Sequence, residues 1–227
     1  MPTDFQKTVL ARLDAILEKV ENVVERLLGQ MEQRSAQIET LEGAAFRLVG
    51  LILGAQYPYL AGHGETVEEL AVQIAARVKF PPEQLRDLRI AARIHDCGKL
   101  AIDQTIIEKP SLLTPEQRLM MQHHPTIAYK WMRECGLAEN IALYILHHHE
   151  HWDGSGYPAG LAGRKIPFGA RILQVADVYD ALVHNRPYRP ALSEREALAL
   201  MRREAQYYDA DCLAALDQIV NEEHHAA

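Results

Sequence analysis

Between residues 65 and 205, segment after segment repeats apolar side chains at intervals of three and four, and no stretch alternates apolar with polar convincingly. That spacing lines one face of a helix, whereas a half-buried strand needs a period of two. The segments are 65–78, 82–100, 114–135, 138–150, 169–183 and 193–205. Thr114-Pro115-Glu116 and Ser193 with Glu196 supply helix-start signals. The pattern predicts an all-α fold, a bundle of helices joined by short turns.

A longer seam precedes them. Leu10, Leu13, Leu17, Val20, Val24, Leu27, Met31, Ile38, Leu41, Ala45, Leu48 and Ile52 alternate at three and four with one gap at Arg34, and no proline interrupts them. Sustained over that length, with charged and amide side chains outside, the seam predicts a coiled coil that pairs two chains as a homodimer. A long amphipathic helix packed on its own domain is the alternative, and the last heptad, around "VGLILG", already looks like domain core. Pro58, Gly62 and Gly64 break the pattern. The expected organisation is an amphipathic or coiled-coil helix over 1–52 and a helical domain over 53–227.

At 48% hydrophobic residues the chain has enough apolar content for a true core, and its net charge of −7 argues against a nucleic-acid polymer held on a basic surface. An anionic ligand would need positive charge gathered locally. The cysteines, Cys97, Cys135 and Cys212, are odd in number and form no CxxC, which suits a reducing, cytoplasmic setting. The longest apolar run, 48–55, is too short for a membrane span.

Polar residues interrupt these apolar helices at inward positions. His63, His95-Asp96, His124, His148-His149 and Asp177 fall at helix ends or core-facing positions in five separate segments. Any one alone is most simply a hydrogen-bonded core group. Together they suggest a metal site, because a bundle core can gather such residues from facing helices. Mixed imidazole and carboxylate donors suit first-row transition metals better than Mg²⁺ or Ca²⁺, and an Asp can bridge two ions.

"HDCGK" (95–99), "HHE" (148–150), "DGSGYP" (153–158) and "GARILQVADVYDAL…RPYR" (169–189) together resemble the HD-GYP subgroup of the HD phosphohydrolases, over roughly residues 56–220. The resemblance implies a helical bundle that holds two or three metal ions and hydrolyses cyclic di-GMP to linear pGpG or GMP. It assigns one metal to His63, His95, Asp96 and Asp177, and a second to Asp96 as bridge with His124, His148 and His149. The ions are expected to be Fe or Mn, with a hydroxide between them attacking phosphorus. Asp96 and Lys99 are the expected catalytic residues. Lys99, Asp180, Arg186, Arg189 and Tyr157 are expected at the cyclic dinucleotide. Glu150 and Asp153 are expected to fix the loop, whose surface would shape the nucleotide site or meet a signalling partner. Another cyclic dinucleotide as substrate, and a catalytically silent module signalling through its coil, are the rival readings. Three departures stand out: Tyr57 replaces an acid common in the family, no proline follows Asp209, and Tyr59 replaces the Glu of three-metal members. The last predicts two ions and pGpG as the main early product.

Overall fold

A computed structural model describes the backbone of residues 4–186 and 189–226; the side chains of 4–24, 35, 39 and 223–226 lie outside that description, including seam residues from Leu10 to Val24 and His224 and His225. Among the described residues there is no β-strand, and every regular element is helical. The fold is all-α, as the spacing predicts.

Helix α1 spans Asp4–Gln56 without interruption. The chain divides into two compact units, Met1–Ala45 and Phe46–Ala227. In the first, Leu27, Met31, Ile38 and Leu41 are all more than half exposed. In the second, Phe46 and Val49 pack on apolar clusters and Leu53 is buried, so the stretch around "VGLILG" does contribute to the domain core, through a face other than that of the seam residues Leu48 and Ile52, which stay exposed.

The second unit continues with α2 (His63–Arg77), α3 (Leu85–Ile94), α4 (Gln104–Ile107), α5 (Pro115–Met121), α6 (His124–Glu134), α7 (Glu139–His147), α8 (Phe168–Val183), α9 (Glu194–Arg203) and α10 (Ala210–Ala226). Helix α2 packs on α3 and α8, α7 on α3, α6 and α8, and α10 closes against α2 and α8. Ile74, Leu88, Ile94, Ile145, Leu173 and Leu216 lie at the centre, essentially without exposed surface. Burying each is worth about 1.5–3 kcal/mol, so this interior is the main source of stability.

Two expected helices are shorter than their periodicity suggests. The segment 82–100 stops at Ile94, and Cys97–Ala101 tightens into a 3₁₀ turn, with Lys99 N donating to Asp96 O at 2.9 Å. The segment 114–135 splits at His123 because Pro125 has no N–H and fits only the first turn of a new helix, α6. Helix α10 was not among the expected elements, although Cys212, Leu216, Ile219 and Val220 bury one face of it.

Two glycines permit the approaches that gather the polar residues. A Cβ on Gly64 would lie 2.4 Å from Arg93 O, so α2 presses its first turn onto the end of α3. A Cβ on Gly98 would lie 2.1 Å from His124 O, where the 3₁₀ turn meets the start of α6. Gly98→Ala should therefore force these backbones apart at a cost of roughly 1–3 kcal/mol. Thermal denaturation checks this; an unchanged melting temperature would contradict the contact.

Candidate metal centre

Each histidine reaches the cluster from a helix terminus. His63 opens α2, His95 caps α3, His124 opens α6, and His148 and His149 follow α7, while Asp177 projects from within α8. At three of these ends the ring is fixed by the carbonyl three residues back. His95 Nδ1 lies 2.8 Å from Ala92 O, His124 Nδ1 2.9 Å from Met121 O, and His148 Nδ1 2.5 Å from Ile145 O. His63 Nδ1 lies 2.6 Å from Asp180 Oδ2 instead. Carbonyls and carboxylates only accept, so Nδ1 carries the proton and Nε2 is left with a lone pair.

Those lone pairs converge. The Nε2 atoms of His63, His95, His124 and His148 are all buried without a hydrogen-bond partner. An unsatisfied buried acceptor costs about 1–3 kcal/mol, so four in one place call for an explanation. Donor atoms of His124, His148 and His149 lie within 4.8 Å of one another, as do those of His63, His95 and Asp177, and those of His95, Asp96 and His148. Asp96 stands between the groups, with Oδ2 3.7 Å from both His63 Nε2 and His95 Nε2, and Oδ1 3.5 Å from His124 Nε2. Asp177 Oδ1 lies 3.2 Å from His63 Nε2 and 3.5 Å from His95 Nε2.

The electrostatics suit cations. Burial pushes the His124 imidazole down to about 3 and His149 to about 4, and burial with three neighbouring histidines drives His148 well below its usual value. These rings are neutral donors at physiological pH. Burial would raise the Asp96 carboxyl, but Lys99 and the surrounding histidines hold it well below the usual range. Asp177 is held down likewise, against its burial, by His63 and His95. Burial lowers His63, yet the neighbouring carboxylates of Asp177 and Asp180 outweigh this and hold it up to about 9, so without an ion this ring keeps a second proton, on the Nε2 that an ion would take over. Three neutral imidazoles, His124, His148 and His149, beside ionised carboxylates, with orphaned nitrogens aimed inward, fit divalent metal ions.

A cleft of about 640 Å³ opens over this floor, in the range of small-molecule sites. His124, His149 and Asp177 line its base; Lys99, Arg186, Tyr59 and Tyr157 line its walls. Lys99 Nζ pairs with Asp96 Oδ2 at 2.6 Å, and the Tyr57 hydroxyl donates to Lys99 O at 3.2 Å, bracing that turn. Tyr157 stacks on His149 with ring centroids 4.9 Å apart. The Arg186 guanidinium lies over the Tyr59 ring, 5.3 Å from its centre.

Two expected ligand contacts are placed elsewhere. Asp180 is 2% exposed and does not face the cleft; its carboxylate meets His63 Nδ1 and, at 3.1 Å, His184 Nδ1. Its Oδ2 orients the His63 ring, while Oδ1 is buried without a hydrogen-bond partner. Arg189 donates to Ala181 O at 2.7 Å, Leu182 O at 3.1 Å and Pro190 O at 2.7 Å, which caps the end of α8. Only Arg186 of that pair faces the cleft. Glu150 is fully buried and accepts from Ala159 N at 2.7 Å and Leu161 N at 3.0 Å, and Asp153 accepts from Ser155 N at 2.9 Å; both shape the loop. His184 had no supporting signal in the sequence beyond standing four residues after Asp180.

Residues 47–212 match the HD domain family. The chain is 35% identical over 207 residues to "Cyclic di-GMP phosphodiesterase response regulator RpfG" of Xanthomonas campestris, covering 89% of this chain and 53% of that one. It is 35% identical over 173 residues to "3'3'-cGAMP-specific phosphodiesterase 3" of Vibrio cholerae, covering 76% and 38%. The chain thus spans about half the length, or less, of these curated relatives. Among solved structures, Bd1817, a HDG"Y"P protein from Bdellovibrio bacteriovorus, superposes with a TM-score of 0.62 at 20% identity, over 81% of this chain and 63% of that one; this likeness shows the fold.

Proposed function

The chain belongs to the HD domain family, and on that premise we propose that it is a metal-dependent phosphodiesterase cleaving cyclic di-GMP to pGpG. One observation carries the reading: four buried histidine nitrogens without partners point at two ionised aspartates beneath a cleft walled by cations. His63, His95 and Asp177 would hold one ion, His124, His148 and His149 the other, and Asp96 would join them. Imidazole donors suit Fe and the carboxylates beside them suit Mn, so Fe or Mn is the assignment this mixed set supports. Divalent ions held there supply Lewis acidity to a phosphodiester.

The chain's own groups do the rest. Lys99, beside Asp96, would meet the phosphoryl oxygens that gain charge. Arg186 would draw the anionic ligand to a protein that is acidic overall. Asp180 holds the His63 ring so that Nε2 stays turned to the floor. Tyr157, stacked on His149, would shield the floor from water and offer a face to a base. Tyr59 lines the cleft at the position where a further acid could have held a third ion, which supports two ions and a single cut.

The exposed Leu27, Met31, Ile38 and Leu41 support a parallel homodimer through α1, with 1–52 as coil and 53–227 as catalytic domain. Light scattering should give a dimer for the full chain and a monomer for a chain beginning at Phe46, which keeps Phe46 and Val49 on the domain core. A full-length monomer at micromolar concentration contradicts pairing through α1. The exposed Pro158–Gly160 stretch offers a signalling partner a surface beside the site. No described helix is long and apolar enough to cross a membrane, and the free Cys97, Cys135 and Cys212 support a cytoplasmic setting.

The 3'3'-cGAMP relative supports a second reading, in which another cyclic dinucleotide is preferred. One experiment addresses both. Purified protein with Mn²⁺, or anaerobic Fe²⁺, is incubated with each dinucleotide and the products are separated by chromatography. Appearance of pGpG first from cyclic di-GMP is expected; faster turnover of cGAMP would favour the second reading, and no turnover with any metal would favour a silent module.

A further inference from the structure

A cyclic dinucleotide has two purines and two phosphodiesters, but the metal floor and Lys99 meet only the phosphodiester that is cut. The far half of such a ligand needs its own contacts, and the cleft runs outward from His149 and Asp177 to the connection between α4 and α5. We propose that this connection, with Arg118 of α5, is the second half-site: Leu112 and Leu113 lie against the far base, and Lys109 and Arg118 hold the uncut phosphodiester. The proposal rests on the cyclic-dinucleotide reading above.

The connection is built, not slack. Gln117 N donates to Thr114 Oγ1 at 3.2 Å, and Thr114 N donates back to Gln117 Oε1 at 3.1 Å, which closes a capping box at the start of α5. The same Gln117 Oε1 accepts from Lys109 Nζ at 2.7 Å. A single amide therefore ties both ends of the 109–117 loop and keeps the ammonium at the cleft wall. Lysine spends two further protons elsewhere, and a phosphate oxygen can accept them. Arg118 follows Gln117, so the position of its exposed guanidinium beside the cleft is set by the same cap. Its planar fork suits two oxygens of one phosphate.

Between these cations the loop offers apolar surface to water. Leu112 lines the cleft yet is 88% exposed. Leu113 stands beside it at the cleft wall, half-buried. Aliphatic faces held open between two cations match a ligand that alternates flat bases with phosphates.

The test compares two substrates with the full-length, Mn²⁺-loaded protein. Cyclic di-GMP has a second phosphodiester, and bis(p-nitrophenyl) phosphate has only the one that is cut. Lys109→Ala and Arg118→Ala should each raise KM for cyclic di-GMP roughly tenfold, since charge-assisted contacts are the strong ones. Both variants should leave bound manganese and the kinetics with bis(p-nitrophenyl) phosphate unchanged. A KM that stays put for cyclic di-GMP, or rises equally for both substrates, overturns the half-site. Wild-type protein that cleaves bis(p-nitrophenyl) phosphate but no cyclic dinucleotide overturns the functional reading and the half-site with it.

Discussion

Asp96→Ala is expected to lower phosphodiester hydrolysis by on the order of a thousandfold or more, the largest loss of any single substitution in this chain. The reason is positional. Among the described residues, Asp96 is the one carboxylate within 3.7 Å of three histidine nitrogens that belong to two different ligand groups. Alanine removes the joint between the groups and also leaves the Lys99 ammonium without its partner at 2.6 Å. That cation is then free to swing over the histidines and repel an incoming ion. Bound metal should fall along with activity, whereas the α-helical circular dichroism should not, because the apolar interior is untouched. Measured turnover of Asp96→Ala within tenfold of the parent would sink the assignment.

Lys99→Ala should separate metal retention from chemistry. Its side chain is 16% exposed at the cleft wall and touches the floor only through Asp96. Four of the five histidine orientations are fixed without it, three Nδ1 atoms by backbone carbonyls and one by Asp180, and the fifth ring, His149, stacks on Tyr157. Loss of one preorganised charge at a developing anion costs roughly 10²–10³ in kcat. The expected result is that loss with the parent's metal content. A variant that loses its metal would show that Lys99 supports the floor, and one with normal kcat would show that it faces no reacting oxygen.

Much of the cluster could be read from the chain because its members break a rule. His95, Asp96 and Asp177 occupy positions where the apolar stripe should continue, and buried polar groups need partners. The helical class was legible for the same reason, from spacing alone. What periodicity could not see was where a continuous stripe is interrupted. Apolar spacing runs through His123 without a change of phase, yet Pro125 forces a new helix there, and that break turns His124 inward. Asp180 and Arg189 show a second limit. Both share a helix face or motif with residues at the cleft, but each is engaged by partners it meets only in the folded chain, His63 and His184 for the aspartate and the last carbonyls of α8 for the arginine. Tyr57 is a third case. It stood out as a missing acid, and the fold uses it as a buried donor to the turn that carries Lys99.

The central claim, that the buried histidines and aspartates form a two-ion hydrolytic centre, is tested most directly by counting metal. Protein reconstituted anaerobically with Fe²⁺, freed of excess by gel filtration and subjected to elemental analysis, should carry two ions per chain, and His148→Ala should carry fewer. A third ion at full occupancy beside His63, or a wild-type chain that retains no metal, would contradict it.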